Sequence, residues 1–439
     1  MKFSKIICLL MLCMPAALSV KAQNAPYLSL KEAVEIALKN NYNIQLSQNN
    51  KSIAQNNVTP GNAGMLPVLT GSISQSNSQQ HIEQTRSDGT VNTIPSAKNS
   101  NLTYGPTLNW TIFNGFAMFA NYDQLKQLNQ LSDIQLRDTV QSTMAAVLST
   151  YYDLINQNEE IRAQKGAIDI SRTQLRYAND KFGVGRASRL DVLNAQVNLN
   201  TDTATLLTLV QQYKSSKIRL NQLLIRDLQT DFNVADTIKV DESLKLGDII
   251  NNAQTQNPAI LSADINKRLA EINLKQVQST RYPVVGVNGG YAWTNSKTPA
   301  GFTRTQDTRG VSYGVTASIN IFDGFNQWRR ERNAKLQISN ADIDSKQIRM
   351  NVEAQINNLY VAYLSGLDLM KLGQNNVEIA HRNLEISLDK YKLGNITPLE
   401  IREAQRNYLD AQSKFFAAQY QSKIAEITLR QITSSINIQ

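Results

Sequence analysis

Apolar and polar residues alternate in two stretches, and each stretch runs into a far longer segment with helical spacing. Leu102, Tyr104, Pro106, Leu108, Trp110 and Ile112 alternate with Thr103, Gly105, Thr107, Asn109 and Thr111. Val311, Tyr313, Val315, Ala317, Ile319 and Ile321 do the same against Ser312, Gly314, Thr316, Ser318 and Asn320. Each has a partner upstream, from Pro67 to about Ser76 and from Pro283 to about Asn295, the latter with Val285, Val287, Tyr291 and Trp293 on one face. A period of two predicts strands, here over about 67–77, 101–113, 283–295 and 310–322. Apolar residues on one face and small polar ones on the other describe a strand of a membrane barrel. A half-buried strand of a soluble sandwich alternates in the same way.

Beyond Phe116 and Phe325 the period changes. Leu136, Val140, Met144, Val147, Tyr151 and Leu154 step by three and four, as do Ile348, Val352, Ile356, Leu359, Tyr363, Leu367 and Met370. Further on, Ile161, Ile168, Leu175 and Phe182 step by seven, as do Met370, Val377, Leu384 and Tyr391, and on the return Leu199, Leu206, Tyr213 and Leu220. Near-3.6 periods followed by heptads predict nearly straight helices whose far ends pair as antiparallel coiled coils. No proline interrupts 107–257 or 300–397, so the helices are expected over about 116–182, 189–228, 325–391 and 398–433. Gly185 and Gly394 supply left-handed C-caps. Ser188 with Asp191 and Thr397 with Glu400 supply capping boxes, and Pro398 takes the first helical position. A shorter helix is expected from about Ala259 to Thr280, and the irregular stretch 231–245 is expected at mid-height.

The order of these elements is written twice. Ile112–Phe116 reads IFNGF and Ile321–Phe325 reads IFDGF, 209 residues apart. Phe182-Gly183-Val184-Gly185 matches Tyr391-Lys392-Leu393-Gly394 at the same offset, while Leu30, Asn41 and Pro67 match Leu246, Asn257 and Pro283 at 216. The chain therefore divides into repeats 23–230 and 231–439, and the seven-residue discrepancy falls between Pro67 and Tyr104, in a Ser-, Asn- and Gln-rich stretch expected to be an exposed loop.

The start of the chain stands outside both repeats. Lys2 and Lys5, the apolar run Ile6–Leu12 and Val20-Lys21-Ala22 have the layout of a secretory signal peptide over 1–22. Cys8 and Cys13 both lie in it, and Ile7 and Leu12 before them are not the small residues of a lipoprotein site. The formal charge of +9 falls to +6 without Lys2, Lys5 and Lys21. Basic and acidic residues are interspersed, so nothing points to nucleic acid. No run of 18 apolar residues is present, which argues against a transmembrane helix and leaves a barrel open. Catalytic chemistry is not suggested. His81 and His381 have no Cys or His companion at metal-ligand spacing, and the glycines Gly286, Gly289 and Gly290 sit inside a strand pattern, not at a strand-to-helix turn.

Four strands cannot close a barrel, and lipid tolerates no open edge. Several chains must each contribute four strands, with Phe113, Phe116, Phe119, Phe322, Phe325 and Trp328 as an interfacial girdle. A secreted coiled-coil structural or adhesive protein would account for the helices but not for these strands.

Together with the tandem layout, IFNGF and IFDGF, the tip segment FGVGRASRLDVLNAQ over 182–196 and YKLGNITPLEIREAQ over 391–405 make the chain resemble the TolC-like outer-membrane efflux proteins. The resemblance implies a fold that is mainly α with a membrane β-barrel: a homotrimer whose twelve-stranded outer-membrane barrel continues as a periplasmic α-helical tunnel. It implies no cofactor and no enzymatic activity. It implies a periplasmic adaptor and an inner-membrane pump of RND or ABC type as partners, with drugs, metals or secreted proteins as cargo. On this resemblance Phe113, Gly115, Phe116, Phe322, Gly324 and Phe325 mark the barrel-to-helix junction. Val184, Gly185, Arg186, Lys392, Gly394 and Asn395 form the adaptor-docking tips, and Asp191, Glu400 and Glu403 the tunnel-entrance gate. The family's basic gate partner falls on Ile396, where Arg186 and Arg189 are the alternatives.

Overall fold

Each repeat lays down two short helices, a β-hairpin and a long helical hairpin. The computed structural model describes residues 26–298 and 303–437; the expected signal peptide lies outside the described residues. In chain order the elements are α1 (Leu30–Asn40), α2 (Tyr42–Asn57), β1 (Val68–Thr85), β2 (Val91–Asn114), α3 (Ala117–Gly183) and α4 (Arg189–Leu224). The second set is α5 (Leu246–Gln256), α6 (Pro258–Ser279), β3 (Val284–Lys297), β4 (Thr305–Ser318), α7 (Asn326–Leu393) and α8 (Pro398–Ile432). At 67 and 68 residues, α3 and α7 each run about 100 Å.

The sheet is an antiparallel meander in the order β1-β2-β3-β4. Its first hairpin is longer than the alternation indicated. Pairing continues to Thr85↔Val91, so the stretch expected as a loop is mostly ladder and His81 lies in β1. Backbone pairing needs no apolar side chain, and the Ser, Gln and Asn residues there gave no period to read. Conversely, β4 ends at Ser318, short of the expected Phe322, because β3 begins at Val284, opposite Ser318. Among the described residues, Ile319–Phe322 have no strand beside them.

The strand-to-helix junction has the same build in both repeats. Gly115 and Phe116 have φ of 67° and 69°, Gly324 and Phe325 of 68° and 62°. Left-handed phenylalanine is disfavoured by about 1–2 kcal/mol, so its recurrence marks a turn imposed by the structure around it. Asn114 accepts a hydrogen bond from Met118 N at 3.0 Å and serves as the cap that Phe116 cannot be.

Around the middle of the long helices a belt of irregular chain and short helices forms the main cores. Leu28, Val34, Val147, Tyr151, Leu220 and Phe232 pack in one, and Ile249, Ile260, Ile356, Tyr363 and Leu429 in the other. Tyr151 donates to Leu28 O at 2.8 Å, and its repeat-mate Tyr360 donates to Leu244 O at 3.2 Å. Asn41 Nδ2 reaches Leu223 O as Asn257 Nδ2 reaches Ile432 O. Helix α4 stops at Leu224, before the expected 228, because Ile225 turns left-handed and Asn221 Nδ2 binds Leu228 O and Thr230 O. The helices α1 and α5, too short to show a long apolar period, were not expected.

Candidate functional site

The sheet separates two chemistries by register. One face carries the rows Trp110–Val287–Val315, Leu69–Leu108–Gly289–Tyr313 and Ile73–Tyr104–Trp293–Arg309, and then turns polar at Gln75–Leu102–Asn295–Asp307. Tyr104 stacks on Trp293 at 5.5 Å. From Trp110 to Leu102 the apolar run is about 27 Å along the strand, or about 20 Å when tilted as in a barrel, near the height of a membrane band. Leu69, Ile73, Val311, Tyr313 and Val315 are exposed. The opposite face carries Thr70–Thr107–Gly290–Ser312, Ser74–Thr103–Thr294–Thr308 and Ser76–Asn101–Ser296–Gln306. Small hydroxyl, amide and glycine positions suit a wall against water. At the foot of the apolar face Phe116, Phe119, Phe322, Phe325 and Trp328 are exposed together. Phe113 meets Phe116 edge to face at 5.1 Å, and Phe322 meets Phe325 likewise at 5.4 Å.

The far tips of the helical hairpins are built from matched turns. Arg186 N donates to Lys181 O at 2.7 Å and Asn395 N to Lys390 O at 2.9 Å, with Gly185 at φ 74° and Gly394 at φ 82°. Val184, Arg186, Lys392 and Asn395 are exposed on these turns. So are Leu190, Leu393 and Leu399, which the sequence reading passed over. Leu190 and Leu399 stand at equivalent places just after the caps, and that match was the available signal.

The candidate gate acids divide into two kinds. Asp191 Oδ2 accepts from Ser188 N and Oγ at 2.9 and 2.8 Å. Glu400 Oε2 accepts from Thr397 N and Oγ1 at 2.7 and 2.9 Å. Both complete capping boxes. The Ser188 hydroxyl, with the Ser188 amide, holds the Asp191 carboxyl below its usual range; the Thr397 amide, with its hydroxyl, does the same for Glu400. Glu403 is exposed one turn further along α8. Ile396 packs half-buried with Tyr391, Leu384 and Ile401, so this position supplies apolar contact and no charge to the tip. Burial also raises the Tyr391 hydroxyl pKa. Lys181 covers Tyr391, donating to its carbonyl at 3.0 Å with its ammonium 4.4 Å from the ring centre.

The charge that ties the two hairpins together lies deeper. Asp202 on α4 is buried and takes a two-pronged contact from Arg402 of α8 at 2.8 and 2.9 Å. Ser171 of α3 donates to the same carboxylate at 2.5 Å, and Gln405 at 3.3 Å. Gln405 also reaches Ala167 O at 2.9 Å, and Gln174 Nε2 donates to Gln405 Oε1 at 3.0 Å. Sequence reasoning missed this cluster, although a signal was present. With Leu199 and Ile168 at heptad position a, Asp202 and Ser171 fall at d, where a polar residue marks a specified register.

A sheet with one lipid-compatible face, one water-compatible face and two open edges, carried on helical hairpins of about 100 Å, defines the class: a subunit of an outer-membrane conduit. The sequence profile of the outer membrane efflux protein family matches residues 33–224 and 249–435, one segment per repeat, and the chain belongs to that family. It is an outer-membrane channel protein extending into the periplasm, and not an enzyme. The chain is 22% identical over 407 residues to outer membrane efflux protein BepC of Brucella suis, covering 92% of this chain and 85% of the relative. It is 22% identical over 337 residues to the outer membrane protein TolC of Vibrio cholerae, covering 73% and 74%. Among solved structures, the Campylobacter jejuni CmeC outer membrane channel superposes with a TM-score of 0.78 at 18% identity, over 92% of this chain and 85% of that one.

Proposed function

We propose that three copies of this chain close into a twelve-stranded barrel continued by a helical tunnel, and that this is the exit duct of a tripartite system. An inner-membrane pump of RND or ABC type and a periplasmic adaptor deliver the cargo, either small molecules such as drugs and metals or secreted proteins. The observation that carries the reading is the two-faced, four-stranded sheet with both edges open. An isolated sheet of this kind is unstable in lipid, and closure removes its edges. Twelve strands enclose more than the eight that side chains alone can fill, so the Ser, Thr, Asn and Gly face becomes the wall of a water-filled passage.

The tips are the adaptor contact in this reading. Val184, Gly185, Arg186, Lys392, Gly394 and Asn395 form turns whose glycines fix the backbone and whose exposed side chains meet the partner. The exposed Leu190, Leu393 and Leu399 add apolar area of the kind that protein contacts bury. Glu403, repeated three times around the axis, places a negative ring at the entrance, while Asp191 and Glu400 mainly start their helices. Chemical crosslinking in detergent is expected to stop at three subunits. Changing Val184, Arg186, Lys392 and Asn395 together to Ala is expected to abolish adaptor capture while the trimer persists. A stable, membrane-inserted monomer would overturn the reading, and undiminished capture would remove the tips from it.

A further inference from the structure

We infer that the cleft at the foot of the sheet, between the start of α3 and the end of α6, binds one anionic glycerophospholipid of the periplasmic leaflet. Such a site is separate from the passage and needs only the face that the sheet turns to lipid.

The cleft encloses about 450 Å3, with Phe116, Phe119 and Tyr282 at its sheet end and Asp123, Lys275 and Gln278 further along the helices. A space of that size lies within the usual range of small-molecule sites. Its apex is the close approach of two backbones. A Cβ on Gly115 would lie 2.0 Å from Ser279 O, so only glycine lets the end of α6 come this near to the strand-to-helix turn. From that apex α3 and α6 both run away from the membrane. Asp123 lies seven residues beyond Phe116, about 10 Å along α3, and Lys275 four residues before Ser279, about 6 Å along α6.

The rings at the sheet end are only half used within the chain. Phe116 meets Tyr282 edge to face at 5.9 Å and Phe119 at 6.4 Å, yet the three remain 57%, 50% and 55% exposed in that order. Above them Phe113 touches Phe116 at 5.1 Å and belongs to the row Phe113–Val285–Ala317, which continues the apolar face of the sheet downward. An acyl chain lying on that face therefore runs without a break into the cleft. Aromatic side chains at this level mark the boundary between hydrocarbon and headgroups.

The charges in the cleft do not cancel. Three charged residues line it: Asp123, Lys275 and Arg281. Asp123 lies 3.7 Å from Lys126, and Arg281 Nη2 donates to Glu331 Oε2 at 2.7 Å. Among the described residues Lys275 makes no hydrogen bond or ion pair, although Glu271 stands one turn away on the same helix. Gln278, three residues further and on the same side of α6, likewise has an uncommitted side-chain amide among the described residues. One uncompensated cation beside one neutral donor is the complement of a phosphodiester, which carries a single negative charge and several acceptor oxygens. The order of groups also matches a lipid. Rings receive the chain, and an ammonium on a flexible stem waits about one helical turn below them, where the phosphate sits. A zwitterionic headgroup would place its own ammonium near Lys275, with only the already paired Asp123 to receive it. A soluble phosphate would use Lys275 and leave the rings bare.

Native mass of the detergent-solubilised protein tests the site, with three probes titrated separately: phosphatidylglycerol, phosphatidylethanolamine with the same chains, and glycerol phosphate. Each chain is expected to retain one phosphatidylglycerol, with an affinity about fivefold above that for phosphatidylethanolamine. Lys275→Gln is expected to lower the phosphatidylglycerol affinity about fivefold, the effect of one lysine near a lipid phosphate, and to leave phosphatidylethanolamine unchanged. Lys165→Gln, exposed far along α3, is the control and should change neither. Phe119→Ala should weaken both lipids by a similar factor. Lys275 and Phe119 are exposed, so both variants should keep the parent's assembly mass, read in the same spectra. Equal affinity for the two lipids, or a loss no larger in Lys275→Gln than in Lys165→Gln, would overturn the proposal. Displacement of the lipid by glycerol phosphate would overturn it too, by showing a site for a soluble anion, as would a spectrum with no retained lipid.

Discussion

Replacing Arg402 by methionine isolates the buried ion pair that joins the two helical hairpins. Arg402→Met keeps most of the side-chain volume and removes the charge. Asp202, whose side chain is 6% exposed, would be left with the Ser171 hydroxyl and the Gln405 amide as donors. Removing one partner of a buried pair costs about 3–5 kcal/mol. The two remaining donors place this case near the lower end, at about 3 kcal/mol, which corresponds to a roughly 150-fold rise in local opening. The loss should be local, because α8 is also held along its length by α7. Hydrogen exchange of the detergent-solubilised protein is therefore the assay. Amides of residues 401–409 on α8 and 199–206 on α4 are expected to exchange faster by that factor, while the core around Tyr151 and Tyr363 keeps its protection. The double variant Asp202→Leu with Arg402→Met removes both charges and is expected to return to within about 1 kcal/mol of the parent. A single variant that loses less than about 1 kcal/mol, or a double variant as loose as the single one, would show that the pair is solvated and that the packing of Gln405 with Gln174 carries the join.

Gly115→Ala is expected to be poorly assembled or unstable, since its Cβ would overlap Ser279 O, and outer-membrane yield measures this. Ser188→Ala and Thr397→Ala should each cost about 1 kcal/mol of tip-helix stability, seen as faster proteolysis at the turns with the barrel intact. The tips should also respond to acid. The Asp191 and Glu400 carboxyls are held below their ordinary values, so the stabilisation they provide is complete above the ordinary carboxylate range, about 3.9–4.3. It is lost as pH falls below that range through the folded values; tip protection unchanged from pH 7 to about 3 would contradict this. Glu403→Gln should relieve block by divalent cations applied from the helical end in single-channel recordings, because a triple carboxylate ring attracts cations; equal block in parent and variant would remove Glu403 from the entrance.

The sequence was most readable where one periodicity ran uninterrupted. The long helices and the membrane part of each strand announced themselves through Leu136–Leu154 or Trp110–Leu102, because a single face is buried or lipid-facing over many residues. The upper half of β1 and β2 was not readable, since Ser78, Gln79 and Gln80 form a ladder through the backbone alone. At the candidate site, the caps at Ser188 and Thr397 could be seen because capping is local in sequence. The Asp202–Arg402 pair spans 200 residues and joins helices from different repeats, so no local rule exposes it; only the polar d position hinted at it. The end of β4 differs from its pattern for a third reason: the alternation through Ile321 is that of a strand, but its ladder partner β3 begins at Val284, opposite Ser318.

The junction sequence IF[ND]GF shows how these levels meet. The strand must end at the membrane surface and the chain must turn at once into a helix of about 100 Å. Asn114 serves the turn by capping α3 from three residues before its first residue, and Asp323 serves it in the second repeat through an ion pair with Arg330 at 3.3 Å. Glycine next in line is required by a neighbouring backbone, visible at Gly115. The final phenylalanine accepts a left-handed conformation and in exchange lies against aromatic rings at the foot of the apolar face. In the first repeat every one of these demands is met by the chain itself. In the second, Phe325 meets Phe322 edge to face at 5.4 Å, while a Cβ on Gly324 would come no nearer than 3.8 Å to Asn326 Nδ2. The same five-residue solution therefore serves two junctions whose surroundings within the chain differ.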